Sequence, residues 1–146
     1  MKKNIFILLG GAAGAILRYE IRSVNLLNYT FSFPINTFLI NIIGCFMIGI
    51  VLTIAYEYLA MDADLHVGLA TGFIGAFTTF STLSKEIFFL IKSGQILMGI
   101  FYATASIIIG FLAVYTGVAL TRFLFEKQIK ELPDKEIFEE EGDELA

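Results

Sequence analysis

Long apolar stretches alternate with short polar ones along this chain, and their lengths decide the elements. After Lys2 and Lys3, apolar and small residues run from Ile5 to Leu17, and Arg18, Glu20 and Arg22 close the stretch. No Asp, Glu, Lys or Arg then appears between Arg22 and Glu57, from Leu65 to Ser84, or from Ser93 to Thr121. A helix needs about 20 apolar residues to cross the hydrocarbon core, so each stretch holds one span. The charge-free run after Arg22 is longer than one span needs. Asn25, Asn28 and Thr30 mark residues 23 to 33 as a polar connection, and Pro34 suits the first turn of the helix that follows. The pattern predicts an all-α membrane protein of four spans, over roughly residues 4–22, 34–57, 65–91 and 95–122.

Polar residues inside the spans change this picture. Five hydroxyl side chains fall between Thr78 and Ser84, just after Gly72 and Gly75. Each hydroxyl can bond the carbonyl one turn back and merely bend a continuous helix. Five of them beside two glycines favour a third helix broken near its middle, because irregular backbone in a membrane must line a cavity or be buried in protein. Broken helices of this kind supply ion sites. Asn41 lies deep in the second span, where it serves either as interhelical glue or as a pore-lining amide. Tyr102 and Ser106, one turn apart in the fourth, share a face with Gly110 and Gly117. Gly10 and Gly14 make a small-xxx-small pair for close helix packing. Gly68, Gly72 and Ala76, also spaced by four, give a smooth face expected to meet another subunit. The start of the chain has the outline of a signal peptide with cleavage near Ala15, but three further spans favour a retained helix.

Composition agrees with membrane residence: 57% of residues are hydrophobic and 16% charged, with a mean hydropathy of +0.78. The net charge of −4 is uneven, since residues 126 to 146 hold nine of the fourteen acids and three of the ten bases. The other seven bases and five acids leave the body at +2, so only the tail is acidic. Its composition predicts a short helical continuation to about Glu131 and then a solvated segment. Cys45 and His66 are each the only residue of their type, which excludes an intrachain disulfide and argues against a metal cluster. No nucleophile, base and orienter set and no phosphate loop appear, so an enzyme is not expected. Nothing points to nucleic acid.

Three ordered motifs carry a resemblance. Gly10-Gly11-Ala12-Ala13-Gly14-Ala15-Ile16-Leu17-Arg18-Tyr19, Asn36-Thr37-Phe38-Leu39-Ile40-Asn41-Ile42-Ile43-Gly44 and the stretch from Gly72 to Glu86 resemble the Fluc/CrcB family of small fluoride channels, from about Gly10 to Gly117. The resemblance implies an inverted, antiparallel dimer in the cell membrane, passing fluoride passively along its interfaces and relieving fluoride toxicity. It puts Arg18 at the pore mouth, Glu86 in a vestibule, and Asn41, Phe80, Ser81, Thr82, Tyr102 and Ser106 on the fluoride path. Phe80 is the unusual member, since an aromatic ring is positive at its edge. The backbone carbonyls of Gly75 and Thr78 from two copies would hold a structural sodium ion. Six cations on the side of the termini against Arg18, Arg22, Lys85 and Lys92 on the other are a weak topological bias, which permits insertion in both orientations.

Two positions depart from the family pattern. Leu83 stands where a second phenylalanine is usual, and Gly110 where a further hydroxyl is usual. The first raises the alternative that this chain is one subunit of a heteromeric channel with an incomplete pore. A small multidrug exporter is the other alternative; it needs a carboxylate deep in the first span, whereas Glu20 lies beyond Arg18 at that span's end. A nonconducting packing subunit would explain the glycines but not the hydroxyl cluster.

Overall fold

A computed structural model describes residues 2–23, 33–58 and 62–131, with side chains through Lys127. Residues 24 to 32 of the expected polar connection and the acidic tail after Glu131 lie outside the described residues. The described chain is all helical, and four helical stretches are long and apolar enough to cross a membrane: Lys2–Ser23, Ile35–Tyr58, Ala63–Lys92 and Ile96–Lys127.

The first is the single helix α1 (Lys2–Ser23). The second is α2 (Ile35–Thr53), extended by a wider π-helical stretch, Ile54–Tyr58. The third is composite: α3 (Ala63–Val67), a π-helical segment Gly68–Ile74, α4 (Gly75–Phe77) and α5 (Phe80–Lys92). It starts where Asp62 caps it, its carboxylate accepting from the Asp64 and Leu65 amides at 2.8 and 3.3 Å, which satisfies donors that have no partner in the first turn. The fourth, α6 (Ile96–Glu131), follows a tight turn at Gly94, whose φ of +83° is open to glycine at little cost. That turn lets the Gly94 and Gln95 amides close back on Ile91 and Leu90.

Packing pairs helices that are not neighbours in sequence. α1 lies along the Gly68–Ile74 segment and α2 lies along α6, with α5 closing on α6. Inside a bilayer lipid is as apolar as leucine, so association rests on close van der Waals approach, which small residues permit. A Cβ on Gly10 would strike the Gly68 carbonyl, one on Gly14 the Phe73 carbonyl, and one on Gly117 the Phe46 carbonyl. Gly68 and Gly72 are covered by Phe6 and Ile7 of α1, so these two positions of the smooth face meet a helix of the same chain rather than another subunit. A glycine face specifies close approach but not the helix that fills it.

Gly14→Val should therefore cost at least about 1–3 kcal/mol of packing, since the obstacle is backbone and cannot rotate away. Gly11→Ala, whose Cβ would meet only the Gly72 carbonyl at 3.9 Å, should be neutral. Size-exclusion profiles of the two purified variants test this; a monodisperse Gly14→Val protein of wild-type yield would contradict it.

Ile40, Phe77 and Tyr102 are at most 1% exposed and form the core where α2, the composite span and α6 meet. Phe80 is 80% exposed. Phe77 and Phe80 flank one short irregular segment, Thr78 and Thr79.

Candidate functional site

Between α4 and α5 the backbone leaves helical geometry for two residues. Thr78 has ψ 160°, and Thr79 has φ −148° and ψ 103°. Backbone groups released in this way must find partners, because no water reaches hydrocarbon. Asn41 of α2 supplies two. Its Oδ1 accepts from the Thr79 amide at 2.8 Å and its Nδ2 donates to the Thr79 carbonyl at 3.2 Å. This reciprocal pair sets the orientation of the amide and leaves one N–H of its NH2 group uncommitted to Thr79. Thr79 then caps α5 through its hydroxyl, which accepts from the Thr82 amide at 3.2 Å and donates to the Thr82 hydroxyl at 2.9 Å. Gly44 makes room for the segment, since a Cβ there would collide with the Thr78 methyl.

The same bonds redirect two carbonyls. In an unbroken helix Gly75 C=O would accept from Thr79 N–H, and Thr78 C=O from Thr82 N–H. Here the first of those donors is on Asn41 and the second on the Thr79 hydroxyl. Arg18 of α1 approaches the Thr78 carbonyl, its Nη1 donating at 3.4 Å, which is long for such a bond. A cationic group thus stands at the level of the irregular segment.

About two turns further on, Glu86 of α5 is held from two sides. Thr37 of α2 donates to its Oε1 at 2.8 Å, and Tyr102 of α6 donates to its Oε2 at 2.9 Å. Thr37 is 3% exposed and Tyr102 fully buried, with Phe33 edge-on to the Tyr102 ring at 5.1 Å. Ser106 does not extend this chain of side-chain bonds; its hydroxyl donates to the Tyr102 carbonyl at 2.7 Å, as one-turn back-bonding does. It keeps its oxygen lone pairs on the surface of an open groove.

That groove, about 460 Å³, is lined by Asn41, Cys45, Thr78, Thr79, Phe80, Leu83 and Ser106 among others. Ser81 is exposed beside Phe80. Arg22, Lys85, Thr82 and Glu86 line a second open cavity of about 480 Å³. The ten sequence-selected positions therefore divide between two places. Arg18, Asn41, Gly75, Thr78, Phe80, Ser81, Thr82 and Ser106 surround the irregular segment, while Glu86 and Tyr102 form the node beyond it. Both grooves are open rather than enclosed.

Two contributors have no assigned role in the sequence reading: Thr37, and Thr79, which there belongs only to the hydroxyl cluster. Thr37 lies one turn before Asn41 on the same face of α2, a spacing that marks them as partners in position. Thr79 carries a capping signal, a threonine before an amphipathic helical run.

This constellation, a span interrupted by two extended residues and clamped by an asparagine from the preceding span, can be compared with known proteins. A family model described as CrcB-like protein, Camphor Resistance (CrcB), matches residues 5–118. The chain belongs to the CrcB family. It is 41% identical over 124 residues to a protein of Maridesulfovibrio salexigens named fluoride-specific ion channel FluC, covering 85% of this chain and 98% of the relative. It is 42% identical over 116 residues to fluoride-specific ion channel FluC 2 of Staphylococcus saprophyticus, covering 80% and 93%. Against fluoride-specific ion channel FluC 1 of Moorella thermoacetica the identity is 37% over 137 residues, covering 93% and 98%. The family match contains every residue of the site from Arg18 to Ser106 and ends at residue 118 of α6. Membership and four membrane-length helices make the chain a multi-pass membrane protein.

Proposed function

We propose that this protein is a fluoride-selective channel that lets fluoride leave the cell passively across the cytoplasmic membrane. The observation that carries the reading is the interrupted third span, clamped by Asn41, with Phe80 80% exposed on an open groove among neutral hydroxyls and an amide. The names of the relatives supply the ion. Fluoride is small and strongly hydrated, so a conducting path needs several weak donors in place of water and no single deep trap. The exposed edge of Phe80, the remaining Asn41 N–H, and the hydroxyls of Ser81 and Thr82 are donors of that kind. A larger anion gains less from such short contacts. Fluoride efflux from proteoliposomes, read with a fluoride electrode, should therefore greatly exceed chloride efflux; equal rates for the two ions would defeat the reading.

The half-open grooves motivate an assembly of two copies in opposite orientations, with pores along their contact. In that assembly the Gly75 and Thr78 carbonyls, both deprived of their helical donors, are hard oxygen ligands suited to a sodium ion. The residues present fit such an ion, which would neutralise carbonyl dipoles gathered in hydrocarbon. The Arg18 guanidinium beside Thr78 competes for one of these oxygens, so a bound ion requires it to move aside or share. Sodium salts should raise the melting temperature of the purified protein above that in choline salts at equal ionic strength. Identical melting in both would remove the sodium ion from the assembly.

A second reading is favoured by Leu83, which lines the same groove as Phe80. A leucine side chain has no positive edge, so a pore built from this chain alone lacks one aromatic contact. Pairing with a related second subunit would restore it in one of two pores.

A further inference from the structure

The second cavity carries a feature that fluoride passage does not use. Between the end of α1, α5 and the start of α6, two cations share its lining: Arg22, one turn past Arg18, and Lys85, one turn before Phe89. Both side chains are exposed, and the Lys85 ammonium sits 5.9 Å above the Phe89 ring. Among the described residues that line it, the one carboxylate is Glu86, and it has both oxygens engaged by Thr37 and Tyr102 on the sides of α2 and α6. Two cations and one acid leave the cavity at +1, and Thr82 and Gln95 add a hydroxyl and an amide to its lining. The space of about 480 Å³ is larger than a single monatomic ion needs. A polyatomic oxyanion suits two cations better than fluoride does, because the planar guanidinium binds two oxygens in parallel while an ammonium takes a third.

We propose that this cavity binds an oxyanion of the phosphate class, with Arg22 and Lys85 as its two cationic partners. Inorganic phosphate and the phosphodiester of an anionic lipid share this chemistry. The apolar flank formed by Phe89 and Leu90 suits either a lipid or a simple anion resting on the two charges. A bound oxyanion beside Thr82 repels an approaching fluoride ion, so occupancy of this face lowers efflux. That consequence rests on the fluoride-channel reading; binding itself does not.

The test is therefore a melting experiment on the full purified chain in neutral detergent at constant ionic strength and constant sodium. Sodium phosphate in place of sodium chloride should raise Tm by roughly 3 °C at saturating levels. The double variant R22Q/K85Q should show no rise, while Lys92→Gln, on the same end but outside the cavity lining, should keep it. If the double variant does not fold, R22Q alone should weaken the apparent phosphate affinity at least about tenfold. Dioleoylphosphatidylglycerol in the same detergent separates the sources: a rise from the lipid alone, lost in R22Q/K85Q, assigns the site to a headgroup phosphate. No rise with either probe, or equal rises in wild type and R22Q/K85Q, overturns the proposal.

Discussion

Asn41→Asp should reduce fluoride efflux from proteoliposomes by at least about 100-fold while leaving the protein membrane-inserted and soluble in detergent. Two effects act in the same direction. The carboxylate can still accept from the Thr79 amide, but it has no N–H for the Thr79 carbonyl, which now faces a second oxygen instead of a donor at 3.2 Å. An orphaned buried acceptor costs about 1–3 kcal/mol. The charge adds its own penalty, about 2.5–3.5 kcal/mol for an acid at the centre of a span, and it repels the anion that must pass. Each 1.4 kcal/mol is a tenfold change, so these magnitudes support the expected factor even if they overlap. Asn41→Ala separates the two effects. It removes the clamp without adding charge, and its efflux should fall less than that of the aspartate. Efflux from Asn41→Asp within a few fold of wild type would show that neither the clamp nor the charge of this position matters to conduction.

The second large effect runs the other way. Leu83→Phe should raise fluoride efflux from liposomes containing this chain alone, by roughly two- to twelvefold if one edge contact contributes about the 0.5–1.5 kcal/mol that aromatic geometry usually does. Leu83 lines the groove that also holds Phe80 and Asn41, so a ring there can present its edge to the same space. Phe77 does not substitute for it. That ring is 1% exposed and lies flat against Phe73 with centroids 6.2 Å apart, on the packed side of the span. The chain therefore carries one exposed aromatic at this site where the family pattern has two. If wild type already conducts as well as Leu83→Phe, the leucine is not limiting and the motive for a second kind of subunit disappears.

Much of the architecture was legible in the sequence because membranes make length and apolarity decisive. Charge-free stretches ending at Arg18, Glu57, Lys85 and Arg122 read as spans, and all four appear as membrane-length helices. Charges resume at Arg122, and the helical continuation to about Glu131 expected from composition is present, since α6 runs to Glu131. A helix continues into water when its own backbone bonds suffice, so a change in polarity marks the membrane boundary and not the helix end. Thr78, Thr79 and the glycines before them stood out as chemistry foreign to a simple span.

What the tertiary structure alone decided is partnership. Asn41 reads from sequence as either interhelical glue or a pore-lining amide, and in the fold its amide holds the backbone of Thr79, 38 residues away. The resemblance puts Glu86 in a vestibule without naming its partners, and in the fold Thr37 and Tyr102 fix both of its oxygens from two other helices. Gly68 and Gly72 read as an outer face and are filled by α1. The reason is common to all three. Apolar length is a property of one segment and is written in its composition, whereas a hydrogen bond or a close backbone approach requires a second segment whose position depends on every helix packed between them. The sequence by itself determined that polar groups would sit in hydrocarbon; the packing of α1 on the third span and α2 on α6 determined which of them face one another and which face the open groove.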